Sequence, residues 1–121
     1  MVDGLVWCGI FTEEAQAMSR FIAEVLGGRL ILEQPDFWVF DLPRGDRIEV
    51  FGTQGPRPAH LVHYQGRVLG FRVSDMDSAK RSLVEYGCEL LGDTCRAGQT
   101  EWQHFRGPDG SVYELTRYPD A

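Results

Sequence analysis

The sequence predicts an α+β fold made of two tandem β-α-β-β-β modules that form a cup-shaped mixed sheet with helices on the outside. Three observations predict it. The first is a repeated hairpin: Phe40, Pro43, Gly45 and Glu49 recur 65 residues on as Phe105, Pro108, Gly110 and Glu114. By average composition a match is expected at roughly one position in fifteen or twenty, so four within eleven residues are a repeat. The second is a matching start to each half, where Gly9, Arg20 and Glu24 recur as Gly70, Arg81 and Glu85, and Gly27 and Leu30 as Gly87 and Leu90. The third is the pattern between these anchors, one helical period and then three short strands in each half.

Each element has a local reason. Residues 5–11 alternate as a strand, with Val6, Cys8 and Ile10 on one face and Trp7, Gly9 and Phe11 on the other. Thr12 is the expected N-cap of the first helix, and Glu13 and Glu14 sit where its dipole favours anions. Ala15, Met18, Ile22 and Val25 keep helical spacing until Gly27. Residues 29–34, 37–42 and 47–52 read as strands joined by tight turns. Residues 53–66 hold two prolines, two glycines, His60 and His63, and read as a crossing loop. A strand then covers 67–73, and Ser74 or Asp75 can cap a helix that Gly87 ends. Strands follow at 88–91, 100–105 and 111–117, with a loop around 92–98. The modules therefore run from about 4 to 52 and from about 67 to 117, within one domain covering 1–121.

In each hairpin Pro presets φ for a turn and Gly relieves its exit. The strand that leaves carries a carboxylate between apolar neighbours: Glu49 between Ile48 and Val50, Glu114 between Tyr113 and Leu115. Alternation sends that Glu to the face its neighbours do not pack on. Each helix covers one side of its sheet, so the two carboxylates are expected to line the concave side.

Composition narrows the function. Apolar residues at 43% and charged residues at 25% fit a water-soluble globular chain. A net charge of −6 argues against nucleic acid and against an anionic membrane surface, and permits a cationic ligand. Lys80 is the only lysine among 12 basic residues. Cys8, Cys88 and Cys95 form neither a C-x-x-C pair nor a closed disulfide set, and no apolar run is long enough to span a membrane. A reduced, cytoplasmic location is the expectation. No nucleophile with an evident base, no phosphate-cradling loop and no dinucleotide fingerprint is present, so catalytic residues stay unknown at this level.

Trp7-Cys8-Gly9-Ile10 before the first helix, Gly70-Phe71-Arg72-Val73-Ser74-Asp75 before the second, and Phe105 to Leu115 with its Gly-Pro-Asp-Gly turn resemble the glyoxalase / bleomycin-resistance / extradiol-dioxygenase superfamily, the vicinal oxygen chelate fold. The likeness covers nearly the whole chain. It implies a divalent metal held by two side chains from each half, usually His or Gln and Glu, and commonly a homodimer. Position by position those ligands fall at Trp7, Glu49, Val68 and Glu114. Trp and Val offer a metal no lone pair, so no metal and no other cofactor are expected.

The remaining candidates have two readings each. Glu49 and Glu114 grip a ligand amine or guanidinium, or are ordinary strand residues. Trp7 is a stacking plate for a flat or cationic ligand or fills the lost metal's volume, and Val68 lines the floor. Arg72 shares the face of Val68 and pairs with Glu49 or Glu114, or recognises an anion. Trp102 and His104 share a strand face, and His104 is a proton shuttle or a structural histidine. The expected function is a metal-free protein of the bleomycin-resistance type that sequesters a small organic molecule, cationic or aromatic, such as an antibiotic or toxin. The alternative is a lyase, isomerase or dioxygenase whose metal is held by Glu49, Glu114 and a histidine among His60, His63 and His104. A partner-binding module without a ligand is a third class, favoured if Trp7, Phe37 and Trp102 fill the cup.

Overall fold

A computed structural model describes residues 1–119. Residues 7–67 form one compact unit, and residues 1–6 with the segment from 68 onward form another. The first holds most of β1 (Val2–Phe11), α1 (Ala15–Glu24), β2 (Arg29–Gln34), β3 (Phe37–Asp41) and β4 (Arg47–Phe51), in the sheet order β2-β3-β4-β1. The second holds most of β5 (Gly66–Val73), with α2 (Met76–Tyr86), β6 (Glu89–Ala97), β7 (Thr100–Arg106) and β8 (Val112–Arg117), in the order β5-β8-β7-β6. Both modules have the β-α-β-β-β order, with one parallel pair (β1 with β4, β5 with β8) and antiparallel pairs beyond it. The amino-terminal half of β1 falls in the unit of β5, its neighbour in the sheet.

The two hairpins share their hydrogen bonds as well as their residues. Leu42 N–H donates to Asp46 O at 2.8 Å and Gly45 N–H to Leu42 O at 2.9 Å; 65 positions on, Gly107 N–H donates to Ser111 O at 2.8 Å and Gly110 N–H to Gly107 O at 2.9 Å. Gly45 and Gly110 stand at φ 93° and 82°, the left-handed region that closes such a turn. The second copy adds a lock. Asp109 accepts from Ser111 N–H at 3.0 Å and from the Tyr113 hydroxyl at 2.7 Å. The Tyr113 bond, helped by the Ser111 amide, holds the Asp109 carboxyl below its usual range.

The helix boundaries differ in detail from expectation. Thr12 does not cap α1. Its hydroxyl accepts from Glu14 N–H at 3.0 Å in a local turn, and the helix begins at Ala15. Asp75, rather than Ser74, caps α2 by accepting from Ser78 N–H at 3.0 Å. The end of α2 is a Schellman motif, with Gly87 N–H on Val84 O and Cys88 N–H on Leu83 O. The strand expected at 88–91 is longer, because β6 continues through the expected loop to Ala97 around a bulge between Leu91 and Cys95.

Alternation decides the two faces. In the first unit Ile10, Trp38, Phe40, Ile48 and Val50 pack with Ala15, Met18 and Ile22 of α1. Phe37 and Val39 therefore lie on the opposite face, with Trp7, Gly9, Phe11, Glu49 and Phe51. In the second unit Phe71, Val73, Phe105, Tyr113 and Leu115 pack with Met76, Ala79 and Leu83 of α2. Each fully buried side chain such as Ile22 or Phe40 contributes about 1.5–3 kcal/mol.

Arg57 ties down the crossing loop, which contains a single turn of 3-10 helix, Ala59–Leu61. Its guanidinium donates to the carbonyls of Phe51, Gly52, Leu61, Val62 and Tyr64, at 2.8–3.3 Å. It also stands 5.2 Å from the centre of the Phe11 ring, which stacks on Phe51 at 4.4 Å. Desolvation lowers the Arg57 pKa and the charge of Asp36 opposes the shift. A lysine keeps the charge but cannot reach five carbonyls in one plane. Arg57→Lys is expected to cost about 2 kcal/mol and to lower the thermal midpoint by several degrees; an unchanged melting curve would refute the staple. The Asp109 lock predicts a pH effect as well. A depressed carboxyl stabilises above its unfolded pKa, near 3.8, and loses that contribution as pH falls through the folded value. Wild type should exceed Tyr113→Phe in stability at neutral pH, with the gap closing in acid denaturation series.

Candidate functional site

The second unit gathers three of its open-face residues around one carboxylate. Register sets Glu114 of β8 opposite His104 of β7 and Gly70 of β5. His104 Nε2 lies 3.1 Å from Glu114 Oε1, and the Thr116 hydroxyl donates to Glu114 Oε2 at 2.6 Å. All three are buried, with Glu114 only 5% exposed. A carboxylate that far from water needs partners on both oxygens. Val68, fully buried, lies two residues before Gly70 on the same face, and Trp102 is half-buried opposite Thr116. The expected sharing of a face by Trp102 and His104 therefore holds.

The 65-residue repeat shows how differently the first unit treats its glutamate. The counterparts of His104, Glu114 and Thr116 are Val39, Glu49 and Phe51. Glu49 stands opposite Gly9 on β1 and Val39 on β3, and remains half-buried. The Trp7 indole folds back across Gly9, so closely that a Cβ there would collide with the ring. An aromatic plate thus covers the backbone position whose ladder partner carries Glu49. Phe11, Phe37 and Phe51 fill the far end of this face.

Arg72 requires a correction. It was expected to pair with Glu49 or Glu114, but its guanidinium lies 4.0 Å from Asp3, and both side chains are well exposed. Such a pair contributes little. The physical reason is local. Thr116 and His104 already occupy both oxygens of Glu114, and Asp3 lies in the same unit as Arg72. Cys8 keeps the helix-side parity read from the sequence, and burial raises its pKa against the pull of Arg67, so it is not a ready thiolate. His60 is half-buried in the 3-10 turn and His63 is exposed.

The family ligand positions do not fit a four-ligand centre here. Trp7 and Val68 have no donor atom for a cation, and Glu114 is engaged on both oxygens. Within either unit, among the described residues, no three His, Cys, Asp or Glu side chains assemble as a metal-holding group. Sequence reading passed over two residues of this region. Thr116 shares the parity of Glu114, and that spacing alone would have found it. Gln103, 1% exposed, is a polar residue at a core-facing position, a signal visible only once the strand's faces are assigned.

The Glyoxalase/Bleomycin resistance protein/Dioxygenase superfamily model matches residues 4–115. Similar solved structures include methylmalonyl-CoA epimerase from Mycobacterium tuberculosis, at 21% identity and TM-score 0.70, covering 98% of this chain and 90% of that one. A glyoxalase/bleomycin resistance protein/dioxygenase superfamily member from Vibrio splendidus 12B01 is 17% identical with TM-score 0.68, covering 95% and 98%. The Mn(II)-bound glyoxalase from Novosphingobium aromaticivorans is 16% identical with TM-score 0.75, covering 96% of this chain and 39% of its own. These likenesses carry the fold. No curated protein matches the chain.

The buried triad makes a measurable claim. Thr116→Val removes the hydroxyl donated to Glu114 and should destabilise by about 1.5–3 kcal/mol. In a double-mutant cycle with Glu114→Gln the two losses should fall short of additivity. Strictly additive losses would mean that the 2.6 Å contact carries no energy.

Proposed function

Because the chain belongs to the Glyoxalase/Bleomycin resistance protein/Dioxygenase superfamily, and two of the four metal positions of that fold carry Trp7 and Val68, we propose that it is a metal-free binding protein for a flat, cationic organic molecule. The observation that supports this reading is the Trp7 ring lying across Gly9, directly opposite Glu49 in the ladder. An indole face attracts a cation by about 0.5–2 kcal/mol. A carboxylate beside it adds a charge-assisted hydrogen bond to an amine or guanidinium. Both Trp7 and Glu49 are half-buried, so a ligand can reach them while part of its contact is dry. The overall charge of −6 favours capture of a cation from solution. The biological counterpart of such binding is sequestration of an antibiotic or toxin.

The test uses two probes of one shape. At pH 8, 9-aminoacridine is a cation and acridine is neutral. Quenching of tryptophan fluorescence should give tighter binding of 9-aminoacridine, and Glu49→Gln should weaken it roughly tenfold, about 1.4 kcal/mol. Equal affinity for both probes, or no effect of Glu49→Gln, would sink the reading.

A second reading is a metal-dependent lyase, isomerase or dioxygenase with a non-standard centre. The observation that favours it is His104 standing 3.1 Å from Glu114, a nitrogen donor beside a family ligand position. Protein purified without chelators and titrated with Ni²⁺, Zn²⁺, Mn²⁺ and Fe²⁺ decides between them. Stoichiometric metal that is lost in His104→Ala would replace the binding reading with the enzyme.

A further inference from the structure

A polar chain runs from the outer helix of the second unit into its sheet and ends on the strand that carries His104. The Lys80 ammonium on α2 donates to Thr94 Oγ1 at 2.7 Å, and the Thr94 hydroxyl donates to Gln103 Oε1 at 2.8 Å. Gln103 Nε2 donates to three backbone carbonyls: Leu91 at 3.3 Å, Gly92 at 3.0 Å and His104 at 2.9 Å. The polarity of the chain is fixed by its first member. An ammonium has no acceptor, so Thr94 must accept from it and turn its own proton toward Gln103, which leaves the amide nitrogen facing the carbonyls.

The location explains why these residues are needed. The β6–β7 ladder is interrupted between Leu91, which faces His104, and Cys95, and Gly92 takes φ 71° there. The Gln103 carboxamide reaches in to give the carbonyls of Leu91 and Gly92 a donor. The same nitrogen holds the carbonyl of His104, so the backbone that sets the imidazole's height above Glu114 is tied to the bulge. Lys80 is the sole lysine in a chain that otherwise uses arginine, and here a compact ammonium on a flexible stem meets one hydroxyl.

We propose that Gln103 is the positioning residue of the His104–Glu114 pair, with Thr94 and Lys80 setting its carboxamide from α2. The near-isosteric pair Thr94→Val and Thr94→Ser provides the test in the full chain. Long-range ¹H–¹⁵N spectra show three imidazoles, since the chain has three histidines, and His104→Ala assigns the relevant one. Thr94→Val should shift the His104 ring nitrogens at fixed pH. Thr94→Ser should restore them. A simple loss of stability leaves the native His104 signals in place, so unchanged signals in a folded Thr94→Val protein overturn the proposal. Should Thr94→Val fail to fold, Lys80→Met replaces it with the same two outcomes.

Discussion

A strand can give only one of its faces to a helix. In each unit that face is apolar and closed by one helix, so whatever alternates with the core residues is delivered to the other side. Ile48 and Val50 turned toward α1 oblige Glu49 to turn away from it, and Tyr113 and Leu115 do the same for Glu114. The Pro–x–Gly hairpins preserve this phase through the turn, since a slip of one residue would exchange core and open face. The hydrogen bonds of the two turns correspond one for one.

What the two modules do with the delivered carboxylate differs. Around Glu114 the neighbours are His104 and Thr116, and the group is buried. Around Glu49 the corresponding neighbours are Val39 and Phe51, and the group keeps access to water. A carboxylate goes into a dry environment only where donors meet its oxygens. Glu114 is part of an internal polar cluster, and Glu49 stands beside an indole plate.

Buried polar groups also govern the architecture away from the open faces. Gln103 fills the carbonyl-lined gap of a bulge, and Arg57 ties three carbonyls of a crossing loop that has almost no secondary structure of its own to those of Phe51 and Gly52 at the end of β4. Both are cases in which irregular backbone is made tolerable by one side chain with enough donors. Each therefore couples a stretch of irregular chain to the strand beside it, β7 in one unit and β4 in the other.

Much was legible in the sequence because it is written in periodicities. The repeat, the strand phases, the helix end at Gly87, and the outward turn of both glutamates follow from alternation, φ preferences and the 65-residue echo, whereas α1 stops at Glu24, three residues short of Gly27. Those features depend on residues close together in the chain. What only the tertiary structure decided depends on which strands lie side by side. The union of His104, Glu114 and Thr116 arises from β7–β8 register, and the partner of Arg72 proved to be Asp3, some seventy positions earlier. The continuation of β6 through its bulge needed Gln103, whose buried amide reads in sequence as an ordinary polar residue. Local chemistry set what each strand offers to its two faces. The cross-strand register chose its neighbours, because distance in the chain carries no information about hydrogen-bond distance in space.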